Sequence, residues 1–140
     1  MRAEGTFRGW LPGFDEVRAL AESFGTSAGA EHDTMLRVIL VLEELFTNTV
    51  THGYPGGTEG PVWVTLVSQG GVIAVTYEDA AAAFDPIGHA PVLSLGPEER
   101  APGGLGLALI RGLCSSVSYA RVGDRNRATL TVARSSSPAT

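Results

Sequence analysis

Lysine is absent. All ten basic residues of this 140-residue chain are arginine, set against 15 acidic residues for a net charge of −5. Without lysine the chain cannot build the Gly-x-x-x-x-Gly-Lys phosphate loop. It also lacks a basic run, and non-specific nucleic-acid affinity rests on neutralised phosphates, so no direct nucleic-acid partner is expected. The single cysteine, Cys114, excludes an internal disulfide, and no cysteine–histidine cluster has zinc spacing. It falls in an apolar periodic segment and reads as a small buried hydrophobe. Long apolar runs are missing too. The run from Val38 to Leu42 is followed at once by Glu43 and Glu44, far short of the ~20 residues of a membrane span. No basic stretch followed by an apolar one opens the chain, so no membrane segment or secretory signal is expected and the location is read as cytoplasmic.

What is present suits a packed core. Hydrophobic residues make up 44% and charged residues 18%, too apolar for a disordered chain, and the length suits one domain over residues 1–134 with a flexible tail at 135–140. Residues 5–11 suggest an edge strand. From Phe14 to Phe24, apolar residues recur at helical spacing, and Gly25 is expected to stop that helix. Ser27 is the expected N-cap of a second helix running to about His52. Two alternating runs, 62–67 and 72–77, flank Gly70-Gly71 as a hairpin. A long irregular stretch, 79–104, is of the kind that is usually functional. A helix over 105–113 and strands near 117–122 and 128–133 close the chain. This order implies an α+β fold, a two-layer α/β sandwich whose mixed, mostly antiparallel sheet is covered on one face by helices.

Three constellations carry candidate chemistry. Glu44, Asn48 and His52 are spaced four apart, which puts them within roughly 80° of one helical face. The surrounding Thr47, Thr49, Val50 and Thr51 are poor helix formers, and a departure from local preference beside polar groups often marks function. A carboxylate one turn from an amide suits Mg²⁺ coordination and acceptance of a hydroxyl proton. A solvated helix end with His52 as a C-terminal cap explains the same residues. Asp79 follows an alternating strand, where it can read an exocyclic amine or simply start a turn. Gly103-Gly104-Leu105-Gly106 precedes a helix, where backbone N–H groups can approach phosphate or merely form a hinge.

Taken in order, these pieces resemble the ATP-binding domain shared by histidine kinases, gyrase and MutL, the Bergerat or GHKL fold. They are most similar to its bacterial anti-sigma-factor serine kinase branch. The motifs stand as Glu44-Leu-Phe-Thr-Asn48-Thr-Val-Thr-His52-Gly-Tyr54, Asp79-Ala-Ala-Ala-Ala-Phe84-Asp85-Pro86 and Gly103-Gly-Leu-Gly106-Leu-Ala-Leu-Ile110, with a late Asn126. The resemblance implies that ATP and Mg²⁺ are cofactors. Asn48 would hold the metal, and Glu44 would act as base toward a substrate serine. Asp79 would bind the adenine amine, with His52, Ala81, Phe84, Gly103, Gly104, Leu105 and Gly106 around the nucleotide and residues 87–102 as a lid. It further implies a sigma factor and a small antagonist protein as partners, Arg18 as a partner contact, and a homodimer.

One departure bears on activity. The family motif has glycine where Ala81 stands. If that position needs positive φ, the methyl costs ~1–2 kcal/mol; if glycine serves only close approach to adenine, the methyl would block the pocket. Two functions therefore remain open: an ATP-dependent serine kinase and anti-sigma switch, or a nucleotide-independent partner-binding module of the same fold. A detached histidine-kinase catalytic domain fits less well, since the chain has no room for a dimerisation helix pair.

Overall fold

The computed structural model describes residues 1–54, 59–83 and 104–135, without the side chains of 104–107. The strands are β1 (Arg2–Arg8), β2 (Pro61–Gln69), β3 (Val72–Asp79), β4 (Ser116–Val122) and β5 (Arg125–Ala133), and the helices are α1 (Phe14–Ala28), α2 (His32–Asn48) and α3 (Gly104–Leu113). A short 3₁₀ turn, Leu11–Gly13, leads into α1, and a π-helical turn, Thr49–Gly53, extends α2. The sheet order is β1-β2-β3-β5-β4, and every pairing among the described strands is antiparallel. No helix among the described residues is long and apolar enough to cross a membrane.

Strand alternation decides which face is covered. Val62, Val64 and Leu66 on β2, Ile73 and Val75 on β3, and Leu130 and Val132 on β5 are at most 1% exposed. These point toward α1 and α2, whose Val17, Ala21, Val38, Val41, Leu42 and Phe46 complete the core. Each such side chain contributes ~1.5–3 kcal/mol on burial. The same period of two carries the covered face onward to Tyr77 and Asp79 on β3 and to Asn126 and Ala128 on β5, all buried. The apolar stripe thus ends in a polar row: Arg121, Asn126 and Asp79 are successive cross-strand partners.

The helix boundaries correct two expectations. Gly25 does not stop α1; it is buried inside the helix, where an added Cβ would lie 2.7 Å from Met35 Cγ. A mid-helix glycine costs ~0.5–1 kcal/mol relative to alanine, and here its bare backbone lets α2 approach. The stop is Gly29, at φ +62°. Its N–H donates to Thr26 O, and the Ala30 N–H donates to Gly25 O, a paired C-terminal cap. Ser27 therefore lies within α1, and α2 starts at His32 after an extended Glu31. Ser135 also differs from a frayed tail, since its N–H donates to Thr34 Oγ1 at 2.9 Å. Residues 136–140 lie outside the described residues.

Candidate functional site

The poor helix formers at the end of α2 have a structural outcome. The α-helix ends at Asn48, and the chain widens into the π turn, closed by the Tyr54 N–H donating to Thr49 O at 2.8 Å. Single π turns occur often at functional sites. This one lays Thr49 across the end of β3. Thr49 Oγ1 lies 2.9 Å from Asp79 Oδ2 and 2.6 Å from the Tyr77 hydroxyl. It also lies 3.1 Å from the Leu45 carbonyl one turn back. Burial pushes the Tyr77 phenol well above its ordinary pKa, so it stays protonated.

From the opposite side, Asn126 Nδ2 donates to Asp79 Oδ1 at 2.8 Å and to Ala82 O at 2.9 Å. The Ala81 N–H turns back onto the same Asp79 Oδ1 at 3.1 Å. Tyr119 Oη and Arg121 Nη1 both donate to Asn126 Oδ1, at 2.7 and 3.1 Å. Two donors on that oxygen leave the amide only one sensible orientation, with its NH₂ toward Asp79. Arg121 Nη1 also donates to Ala81 O at 2.8 Å.

Tyr54 fastens the third side. It is wedged where a Cβ on Gly9 or Gly60 would meet its ring at 2.9 and 2.5 Å. Its hydroxyl donates to Pro61 O and accepts the Ala80 N–H, both at 2.7 Å. Burial raises the Tyr54 pKa.

Asn48, Thr49, Gly53, Asp79, Ala81 and Asn126 line a recess that holds about 30 Å³, room for a water or two. No non-glycine residue among those described has positive φ, so Ala81 carries none of the left-handed cost considered above. Its methyl instead faces Gly53, where an added Cβ would lie 3.0 Å from it. The methyl stands in the lining of the recess.

The remaining candidates divide. Asn48 is half-buried and lines the recess with Asp79 and Ala81. Glu44 is half-buried one turn earlier, and burial, followed by the neighbouring Glu43 charge, raises its pKa. Neither Glu44 nor His52 is part of the recess lining. His52 sits in the π turn, which breaks the α-helical register, and it is exposed. Gly104, Leu105 and Gly106 form the first residues of α3, which begins one residue earlier than expected. Phe84, Gly103 and the expected lid over 87–102 lie outside the described residues. Arg18 is half-exposed, 3.4 Å from Glu43, on the rim of a groove between α1 and α2 and away from the recess. Cys114 is only half-buried, and desolvation pushes its thiol up to about 11, as an inert thiol requires.

Thr49, Tyr77 and the tie between Asn126 and Asp79 escaped the sequence reading. Their signal is the alternation Ile73-x-Val75-x-Tyr77-x-Asp79 and Asn126-x-Ala128-x-Leu130-x-Val132, which carries polar groups onto a buried face. The chemistry of this lining fits an adenine amine, since an ionised carboxylate accepts and does not donate. The described residues contain no cluster of three or more His, Cys, Asp or Glu side chains able to hold a metal. A metal at Asn48 would take further oxygen ligands from phosphates, as Mg²⁺ commonly does.

Known proteins share this fold. The solved RsbU and RsbW domains of Rv1364c from Mycobacterium tuberculosis superpose with a TM-score of 0.69 at 20% identity, covering 96% of this chain and 32% of that one. A blue-light activated histidine kinase from Erythrobacter litoralis, EL346, gives 0.54 at 21% identity over 74% of this chain and 31% of that one. The chain therefore spans about a third of each solved chain and shares its fold. Among curated relatives, the serine/threonine-protein kinase BtrW of Bordetella bronchiseptica is 32% identical over 69% of this chain and 70% of its own length. The anti-sigma F factor of Anoxybacillus flavithermus is 24% identical over 77% and 75%. The histidine kinase-like ATPase domain profile matches residues 14–132, from the first turn of α1 to the end of β5. With most of the chain matched by that profile, the motifs included, the chain belongs to the histidine kinase-like ATPase domain family.

Proposed function

We propose that this chain is an ATP- and Mg²⁺-dependent serine kinase that also sequesters a sigma factor in the cytoplasm, working as a homodimer and switched by an antagonist protein that it phosphorylates. Supporting this are the relatives named as a serine/threonine-protein kinase and as an anti-sigma F factor. The observation that carries it is the shared recess: Asn48, one turn beyond Glu44 on α2, lines it together with the acceptor Asp79 on β3.

Bound ATP with Mg²⁺ would supply the transferable phosphoryl group and the charge that balances it, so the chain's task is positioning and electrostatics. Asp79 would accept the base amine. The Asn48 side-chain oxygen would hold the metal, and backbone N–H groups at the start of α3 would face the phosphates. Glu44 would take the proton of the substrate serine hydroxyl. Its raised pKa makes the carboxylate a stronger base than an ordinary glutamate. Arg18, on the far rim of the α1–α2 groove, would serve partner contact rather than chemistry.

Calorimetric titration with ATP and Mg²⁺ tests this. Micromolar binding is expected in the wild type, and a loss of at least tenfold in Asn48→Ala. A specific observation favours a second reading, the nucleotide-independent partner trap: the Ala81 methyl stands in the lining of the recess. Ala81→Gly separates the two. Binding that appears only in Ala81→Gly identifies a trap, whereas a wild type that binds ATP and gains at most several-fold identifies a kinase.

A further inference from the structure

We propose that Asn126 is the residue that positions the base-reading carboxylate, clamping Asp79 so that one acceptor position remains for an exocyclic amine. The inference rests on the ATP reading above and deepens it, because it names the origin of base selectivity.

An ionised carboxylate offers about four lone-pair positions. Among the described residues, three donors meet Asp79. The Ala81 N–H and Asn126 Nδ2 lie on Oδ1, at 3.1 and 2.8 Å. The Thr49 hydroxyl lies on Oδ2, at 2.9 Å. Thr49 has a single proton, and a charged oxygen is a stronger acceptor than the Leu45 carbonyl, so the proton goes to Asp79 and Tyr77 donates to Thr49. Oδ1 is thus taken twice and Oδ2 once. Oδ2 is also the oxygen near Gly53, where an added Cβ would lie 3.9 Å from it, on the wall of the recess. An amine entering the recess meets an acceptor that is already oriented and has one place left.

Asn126 can hold this arrangement because it is held itself. Tyr119 and Arg121 fix its Oδ1, and its Nδ2 reaches Asp79 in cross-strand register while also meeting Ala82 O at 2.9 Å. Released from Nδ2, the carboxylate can rotate about χ2, a broad torsion for aspartate, and the remaining acceptor position then loses its aim. A ligand without the amine would not register that loss.

The discriminating probes are ATP and purine riboside triphosphate, which lacks the exocyclic amine, each titrated with Mg²⁺. A hydrogen bond to a charged group corresponds to about tenfold to hundredfold in affinity, so the wild type should favour ATP by at least tenfold. In Asn126→Ala the preference should fall below threefold, with the analogue's affinity within threefold of wild type. Tyr119→Phe, which removes one of the two donors fixing the amide, should fall between. A folded Asn126→Ala variant that keeps its tenfold preference, or that loses both nucleotides equally, overturns the clamp. If near-ultraviolet dichroism shows that variant unfolded, Asn126→Ser, too short to reach Asp79 Oδ1, takes its place with the same expected collapse of preference, and the same two results overturn the proposal. A folded wild type that binds neither nucleotide overturns the ATP reading itself, which separates the two failures.

Discussion

The two ends of α2 both finish in polar clusters and differ in what water can reach. At the N-terminal end, Arg134 Nη2 donates to Glu31 Oε2 at 3.0 Å and to Gly29 O at 2.7 Å, while Thr34 and Ser135 complete the tie. Glu31 and Arg134 keep about a quarter of their side-chain surface in solvent, 26% and 23%. At the other end, Thr49, Asp79 and Asn126 are 3%, 8% and 8% exposed. The first cluster fastens the end of β5 to the helix, an arrangement that explains itself as structure. The second withdraws a carboxylate from water and holds it with neutral donors, at a cost that apolar packing would have avoided. Polar groups buried against stability beside a recess are best explained by what enters it.

The sharpest break in that comparison is Glu44→Ala. Loss of a general base typically costs 10²–10⁴-fold, so phosphate transfer should fall by at least a hundredfold while ATP affinity stays within threefold, as read by radiolabel transfer and calorimetry. Transfer that survives the change would remove Glu44 from the mechanism. The same residue sets a pH limb. Because the base works deprotonated and its pKa is raised, first by burial and then by Glu43, the rate should decline with falling pH at a point above the ordinary carboxylate range. Glu43→Gln should move that limb to lower pH in a pH–rate profile.

Asp79→Ala comes next. It leaves the Ala81 N–H and part of Asn126 unsatisfied in a buried site, with an expected loss of ~1–3 kcal/mol of stability in urea melts and complete loss of ATP preference over the analogue. Near the other end, Gly29→Ala forces a methyl into a left-handed backbone at φ +62°, with a loss of ~1–2 kcal/mol and no change in nucleotide affinity.

The smallest effect belongs to the exposed pair. Hydrogen bonding to Arg134 holds Glu31 down to about 2 from its ordinary 4.5. A depressed carboxylate stabilises the fold above its unfolded pKa and loses that contribution as pH falls through the folded value. The difference in urea midpoint between wild type and Arg134→Ala should therefore be constant above pH 4.5 and shrink from there to pH 2. A difference that stayed constant down to pH 2 would mean the ion pair contributes nothing.

Local periodicity alone determined much of this protein. The alternation at 62–67 and 72–77, the glycine turn between them and the apolar spacing from Phe14 are short-range signals, and every strand and helix expected from them is present. Spacing likewise placed Glu44 and Asn48 on one helical face and Asp79 at the end of an alternating strand, whereas the roles expected of Asn48 and Asp79 came from the resemblance of their motifs to the family. Tertiary structure decided the rest. Gly25 reads as a stop because glycine is a poor helix former, yet it continues α1 because Met35 needs the space. The α-helix gives way to a π turn at Thr49, whose hydroxyl meets Asp79, a partner thirty residues away. Ala81 reads as a possible strain and is instead a matter of volume. Asn126 holds Asp79 across 47 residues of chain, through a cross-strand register that only the assembled sheet defines. Short-range steric and hydrophobic rules are written along the chain, whereas the partner of a buried polar group is whichever side chain the fold delivers to it.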